Sequence, residues 1–580
     1  MSLRILLLCH SFNSLSQRLF AELRALGHVV SVELDIADSV TQEAVALAQP
    51  DLVLAPFLKR RIPVSVWQRV PCLVVHPGPP GDQGPNALDW AVTTGEAQWG
   101  VTVLQATGDY DAGPVLAHAA FAVRKTTKGS LYRREVTQAA VWATLAAVSR
   151  FAQGERSVPE QPPLTARWRP AMKQADRAID WAHDPTERVL ARLNGADGQP
   201  GVRDALWGQP CYLCDGHAAS ARTLAEFAHQ PPGAVVAVRD GALLRRTADG
   251  GVWIGQVRRV DAPGTPLGQG AFKQVAAQVF AAEAADLPVR QAALMRPDDE
   301  WAEVSYEECG YGACLVGFLS FDFYNGAMGT ERCQRLLAAL NEVKARPTRV
   351  LVLTGGSGFF SNGIDLNSIE AAAHRPDDSA ADESWRNIQA MDDVALAVLQ
   401  MTDRLTVSLM RGNAGAGGVF LALAADEVWA HESVVLNPHY KNMGNLYGSE
   451  YWTYLLPRRL GDAGARELMA NRLPVRAADA CRMGLIDHCD TEPREGLEAR
   501  SVARALALAA ASDAVDRLAA KQARRAADEA RCPLATYREQ ELARMRRNFF
   551  GFDPSYHVAR HHFVHKLPHA WTPRHLATHR

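Results

Sequence analysis

Gly358-Phe359-Phe360-Ser361-Asn362-Gly363-Ile364-Asp365-Leu366 follows the apolar run Val350–Thr354, and its reading decides the fold of the C-terminal half. A buried strand that breaks into a glycine loop and then turns helical presents free backbone N–H groups at a helix start. The pattern recurs: Thr406–Arg411 runs into Gly412-Asn413-Ala414-Gly415-Ala416-Gly417-Gly418, again ahead of a helical pattern. One glycine loop is a common turn. Two in this order, each behind a buried strand, form a far more specific signal.

Strand Ala313–Phe321 and helix Glu331–Val343 complete an α/β region over about 301–510, and from 511 the chain reads as charged amphipathic helix, including Lys521–Arg531 and Tyr537–Arg547. Upstream, residues 1–165 alternate strands (Arg4–Cys9, Val29–Leu34, Asp51–Leu54, Cys72–Val75) with helices (Ser16–Leu26, Arg134–Phe151). That alternation predicts an open, mostly parallel, Rossmann-like sheet. Its first turn, His10-Ser11-Phe12-Asn13-Ser14, lacks the Gly-x-Gly-x-x-Gly that a dinucleotide pyrophosphate requires. The proline-bearing stretch Gly154–Pro170 marks a boundary. Strands at Leu206–Leu213, Gly233–Val238, Leu243–Thr247 and Val252–Val257, with turns at Asp240-Gly241 and Asp249-Gly250-Gly251, predict a small OB-like β-barrel over 170–265. An alanine-rich, proline-bearing linker is expected over 266–300, and a helical extension and tail over 511–580. The fold class is multidomain α/β.

At 580 residues the chain is too long for one core, and 47% hydrophobic with 22% charged residues is ordinary for a globular enzyme. A formal net charge of -2 gives no reason to expect nucleic acid or an anionic membrane as partner. The first apolar run, Ile5–Cys9, is too short to span a bilayer and no other reaches that length, so a cytoplasmic location is expected. Cys211 and Cys214 form a close pair without a second ligand pair. His561 and His565 have a spacing that could bind metal on a helix, but the histidine-rich tail reads as a solvated face or frayed terminus, and no metal is expected.

His76-Pro77-Gly78, Gly100-Val101-Thr102-Val103-Leu104-Gln105 and Asp109-Tyr110-Asp111-Ala112-Gly113 occur in an order that resembles the active site of folate-dependent formyltransferases. Ile179-Asp180-Trp181, ahead of a β-rich module, is similar to the start of that family's second domain, so the resemblance covers about the first 260 residues. It implies formyl-tetrahydrofolate as donor and His76, oriented by Asp111, as the group that polarises the formyl oxygen and manages the nucleophile's proton. Two positions depart from the pattern: Val74 stands where the family keeps an asparagine, and Gln83-Gly84 where it keeps Arg-Gly. Asp82 and Asn86 are candidates for the missing polar support.

The two downstream loops resemble the oxyanion-hole segments of crotonase-fold enzymes, the enoyl-CoA hydratase/isomerase family. The resemblance implies a coenzyme A thioester held by the N–H groups of Ile364 and Gly417, with Ser320–Arg332 near the pantetheine and nucleotide. The hydratase glutamates fall at Phe420 and His439, so addition of water to an enoyl-CoA is not expected. Tyr440 and Glu450, in the polar, aromatic stretch that follows, are the expected acid/base pair. His439 is possible support, and Trp452 and Tyr454 read as helix packing.

Asn437-Pro438-His439-Tyr440, Gly448-Ser449-Glu450-Tyr451-Trp452, Phe549-Phe550-Gly551 and Ser555-Tyr556-His557 make the whole chain similar to the HypX/HoxX family of hydrogenase maturation proteins. The resemblance implies a bifunctional transferase and lyase: formyl passes from formyl-tetrahydrofolate to coenzyme A, and formyl-CoA then releases carbon monoxide for the iron of nickel–iron hydrogenase. It also implies maturation factors as partners and a tunnel for the intermediate. Glu450 as base and Tyr440 as acid is the first assignment, with the reverse left open. Two other readings stay open: a formyl-CoA hydrolase or formyltransferase to another acceptor, and a non-enzymatic folate-binding scaffold.

Overall fold

The computed structural model describes residues 2–155, 166–297 and 299–580; the boundary stretch at 154–170 includes 156–165, which lie outside the described residues. The chain forms two compact units, one of Met1–Val260, Val275–Pro288 and Pro568–Arg580, the other of Asp261–Gln274 and Val289–Leu567.

In the first unit, β1 (Arg4–Cys9), β2 (Val29–Leu34), β3 (Leu52–Phe57), β4 (Cys72–His76), β5 (Gln98–Gln105) and β6 (Val115–Ala122) form one sheet in the order β2-β1-β3-β4-β5-β6. The first four strands are parallel, whereas β5 and β6 are antiparallel, so the sheet is mixed beyond β4. β3 outruns its expected end. Its register with β1 shifts near Pro56, which has no N–H to give the ladder, and pairing resumes at Phe57. The helices α1 (Ser14–Ala25), α2 (Asp38–Ala48), α3 (Ala87–Thr94) and α4 (Thr137–Ala152) alternate with the strands. Asn13 caps α1 by accepting the Ser16 N–H. β4 ends on His76 and thereby delivers it to the carboxyl edge of the parallel strands.

The histidine-rich tail is neither frayed nor a solvated face at its end. Leu576 O accepts the Val32 N–H at 2.9 Å and Thr572 Oγ1 accepts the Leu34 N–H at 2.9 Å, so the tail lies along β2. Glu33, fully buried, accepts from His579 Nε2 at 3.1 Å, from Arg580 Nε at 2.9 Å, and from the Thr572 hydroxyl. A buried carboxylate must be paired, and its partners come from more than 500 positions away, a pairing that local sequence does not show.

The same unit holds an antiparallel sheet of β7 (Val202–Leu206), β8 (Gln209–Ala218), β9 (Val235–Arg239), β10 (Ala242–Arg246) and β11 (Gly251–Arg259), in the order β9-β10-β11-β8-β7. Val189, Leu193 and Ala196 of α5 (Thr186–Ala196) pack into its core. So do Ala276, Phe280 and Ala284, which corrects the expectation of a linker there: the helical i, i+4 spacing of these residues was hidden by an alanine-rich, proline-bearing composition.

In the second unit, β12 (Val304–Cys309), β13 (Val316–Phe321), β14 (Val350–Gly355), β16 (Leu405–Met410), β18 (Glu427–His431) and β21 (His488–Asp490) form a sheet in that order, antiparallel only between β12 and β13. The strand expected from Ala313 begins at Val316, because a short 3-10 turn over Gly312–Cys314 precedes it. A second, smaller sheet orders β15 (Phe359–Ser361), β17 (Asn413–Gly415), β19 (Val435–Asn437) and β20 (Val475–Arg476). Around them lie α6 (Thr330–Lys344), α7 (Leu366–Ala372), α8 (Ala380–Leu399), α9 (Gly417–Leu423), α10 (Trp452–Ala470), α11 (Leu497–Ala510), α12 (Ala514–Arg531), α13 (Leu534–Phe550) and α14 (Ser555–Val564). Among the described residues, no helix is long and apolar enough to cross a membrane.

Glu33→Ala strands His579 and Arg580 beside an emptied buried site. Timed carboxypeptidase digestion of the native protein should then remove the last residues about tenfold faster than in wild type; equal rates would mean that the tail is held by Leu576 and Thr572 alone.

Candidate active sites

In the first unit the buried His76 ring lies between two carboxylates. Nε2 is 3.0 Å from Asp82 Oδ2 and Nδ1 is 3.5 Å from Asp111 Oδ1. Asp82 is itself buried and accepts from Arg169 Nε at 2.5 Å, and the Arg169 guanidinium lies 4.9 Å from the Trp99 ring centre. Trp99 Nε1 in turn donates to Pro77 O at 2.8 Å, which ties the loop to β5. Asp111 has a left-handed backbone (φ 50) and accepts the Gly84 N–H at 3.2 Å, so the two loops around the histidine are joined. Gly78 is obligatory here: a methyl group on it would fall 2.4 Å from both His76 Nε2 and Asp82 Oδ2.

The structure therefore brings His76, Asp111 and Asp82 together but places Asn86 elsewhere. The Asn86 side chain accepts the Met172 N–H at 3.2 Å, and among the described residues it makes no bond to His76. Val74, in β4, packs with the apolar residues beneath the sheet. Arg169 was invisible in the sequence, being an isolated arginine 87 residues from the carboxylate that it holds.

In the second unit β14 leads through β15 to Gly363 (φ 78) and Ile364, and α7 then starts under a cap in which Asp365 accepts the N–H groups of Asn367 and Ser368. β16 leads through β17 to Ala416 (φ 46), and α9 starts at Gly417. The loops adjoin: a methyl group on Gly363 would sit 3.5 Å from Gly417 N. Among the described residues, the N–H groups of Ile364 and Gly417 donate to no protein acceptor. Ser320–Arg332 runs alongside, with Met328 N–H donating to Gly363 O at 2.9 Å and Asn362 N–H to Gly326 O at 2.7 Å.

Tyr440 and Glu450 meet beside Gly417. The Tyr440 hydroxyl is in close hydrogen-bond contact with Glu450 Oε2 and lies 3.0 Å from Ser449 O. Glu450 Oε1 packs on Gly417, where a methyl group would fall 2.3 Å from it. Phe420 stacks on Tyr440 with ring centres 5.3 Å apart. His439 is buried beside them. Trp452 and Tyr454 sit in the first turn of α10, Tyr454 buried, as expected of helix packing.

Glu450 and Tyr451 are consecutive left-handed residues (φ 58 and 61). Two buried carboxylates hold them there. Asp392 of α8 accepts the Glu450 N–H at 2.8 Å and the Ser449 hydroxyl at 2.6 Å. Glu541 of α13 accepts the N–H groups of Tyr451 and Thr453 at 2.9 and 2.8 Å. Burial, reinforced by the nearby Asp392 charge, pushes Glu450 up to about 8. Burial also raises the Tyr440 hydroxyl well above its usual range, as does the adjoining Glu450. One hydroxyl proton cannot serve two acceptors fully. A protonated Glu450 resolves this by donating to Tyr440, which then donates to Ser449 O. Asp392 and Glu541 carried no sequence signal, each being one buried acid on an otherwise ordinary amphipathic helix.

Residues 32–148 match the formyl transferase family, 171–263 the formyl transferase C-terminal domain, and 324–574 the enoyl-CoA hydratase/isomerase family. The chain is 55% identical over 585 residues to the hydrogenase maturation factor HoxX of Bradyrhizobium diazoefficiens, covering 100% of this chain and 97% of that protein. It superposes with TM-score 0.92 and 43% identity on the crystal structure of HypX from Aquifex aeolicus in complex with tetrahydrofolic acid, covering 100% of this chain and 99% of that one. With that identity along its full length, and with a formyl transferase half joined to an enoyl-CoA hydratase-like half, the chain belongs to the HypX/HoxX family of hydrogenase maturation factors.

Proposed function

We propose that the chain moves a formyl group from formyl-tetrahydrofolate to coenzyme A and then splits formyl-CoA into carbon monoxide and coenzyme A, supplying the CO ligand of the nickel–iron hydrogenase iron in the cytoplasm. The observation that carries this reading is the Tyr440–Glu450 pair packed on Gly417, whose N–H donates to no acceptor among the described residues. Folate binding by the Aquifex relative supports the donor.

At the first site His76 takes the thiol proton as sulfur attacks the formyl carbon, and hands it to the departing pterin nitrogen. Asp82 orients the ring by accepting from Nε2, which leaves the Nδ1 lone pair to take that proton; Asp111 stabilises the imidazolium that forms, and Arg169 balances the Asp82 charge. Asp82 is the polar contact that stands in for the amide absent at Val74.

At the second site the N–H groups of Ile364 and Gly417 hold the thioester oxygen. Glu450, as carboxylate, removes the formyl proton; the C–H electrons become the carbon lone pair of CO while the C–S bond breaks. The thiolate leaves with the proton of Tyr440, and Glu450 returns the captured proton to Tyr440 along their hydrogen bond. Atoms and charge balance, and both residues end as they began. Phe420 supplies an apolar wall where a hydratase activates water, which protects the thioester from hydrolysis.

Supplying formyl-CoA directly separates the halves. Glu450→Gln and Tyr440→Phe should each lower CO release by about 10²–10⁴-fold, read by haemoglobin absorbance, whereas His76→Ala should leave it unchanged. Formate in place of CO from the wild type would assign a hydrolase.

The base role also fixes the sign of the pH dependence. CO release from formyl-CoA should rise with pH and level off above about 8, where Glu450 becomes ionised. Asp392→Asn removes the like charge and should move that inflection down by about one unit; a fall in rate with rising pH would reverse the roles of Tyr440 and Glu450.

Gly78→Ala forces the His76–Asp82 contact open. Formyl transfer from formyl-tetrahydrofolate should drop by roughly 10²-fold, with CO release from supplied formyl-CoA intact.

A further inference from the structure

Outside the catalytic groups, Glu370 of α7 brings a third donor to His561 and His565 of α14. Its Oε1 lies 3.1 Å from His561 Nδ1 and 3.3 Å from His565 Nε2, and the three donor atoms all fall within 4.8 Å of one another. A tetrahedral ion with bonds of about 2.1 Å sets neighbouring donors roughly 3.4 Å apart. Two edges of the triangle already have that length.

The surroundings resemble the support that metal carboxylates need. Glu370 is buried, and its second oxygen accepts from Arg560 Nε at 2.7 Å. Arg560 also donates to His557 Nδ1 at 2.6 Å, and His557 Nε2 lies 2.8 Å from Phe549 O. A carbonyl only accepts and a guanidinium only donates, so His557 carries its proton on Nε2 and both its nitrogens are engaged. It braces the carboxylate and is not a fourth ligand. Phe272 packs edge-on against His565 with ring centres 5.4 Å apart, fixing that ring from the other side. The His565 side chain is 5% exposed and that of His561 39%, so the triad opens toward solvent on the His561 side.

We propose that Glu370, His561 and His565 form a binding site for a divalent transition-metal ion, Zn²⁺ by donor type and geometry, with a fourth position open to water. Two imidazoles and one carboxylate are the donor set of open tetrahedral zinc sites. On binding, each neutral ring moves its proton from the nitrogen that faces Glu370 to the far one, so two lone pairs and a carboxylate oxygen converge on the ion. The ion would lock α14 onto α7, the helix that begins just after Ile364.

The test uses the full-length protein after chelator treatment, titrated with Co²⁺ as a visible probe and then with Zn²⁺. The expected result is one equivalent of Co²⁺ with the intense absorption of a tetrahedral site, displaced by Zn²⁺, and a higher melting temperature with Zn²⁺ present. His561→Gln, at a partly exposed position that the fold tolerates, and Glu370→Gln should each weaken binding at least roughly tenfold and abolish the Zn²⁺-dependent rise in melting temperature. No tetrahedral cobalt absorption in wild type, or unchanged affinity in His561→Gln, would overturn the proposal and leave the triad as a charge cluster clamping one helix to another.

Discussion

Everything at the second site depends on how the turn Ser449-Glu450-Tyr451 is held. Two consecutive left-handed residues with side chains cost of order 1–3 kcal/mol each, and no glycine relieves either of them. The turn persists because Asp392 and Glu541 accept its backbone N–H groups from two different helices, in a region closed to water. Burial, reinforced by the Asp392 charge, brings the Glu450 titration up to a range useful for proton transfer. Asp392 thus bears on both backbone geometry and proton affinity.

The two oxyanion loops follow a simpler rule. Each is a strand that breaks at glycine just ahead of a helix, and among the described residues the N–H groups of Ile364 and Gly417 meet no acceptor. At Gly417 the absence of a side chain leaves room for the Glu450 carboxylate. Gly448 plays a similar part for Tyr440, whose ring would lie 2.1 Å from a methyl group there. In the first unit Gly78 opens the space in which His76 meets Asp82. In all three places a missing methyl group makes room for a close contact.

Much of this was legible in the sequence. Local patterns located the glycine loops, the strand ending at His76 and the Tyr440 to Glu450 stretch, because each is written in adjacent residues. The mixed order beyond β4 was not legible, since strand direction depends on pairing rather than on composition. Asp392, Glu541 and Arg169 were missed because each acts through one long-range contact. Phe280 was misread for a related reason: its burial is decided by a sheet more than 20 residues upstream in the chain. The tail histidines looked solvated until Glu33 and Glu370 were found beneath them.

The central claim is that one polypeptide turns a folate-borne formyl group into carbon monoxide through coenzyme A. Its most direct test is anaerobic incubation of the pure protein with formyl-tetrahydrofolate labelled in the formyl carbon, with and without coenzyme A, followed by mass analysis of the headspace gas. Labelled CO that forms only when coenzyme A is present is the predicted result. Labelled formate without CO, or CO that forms without coenzyme A, would contradict the account.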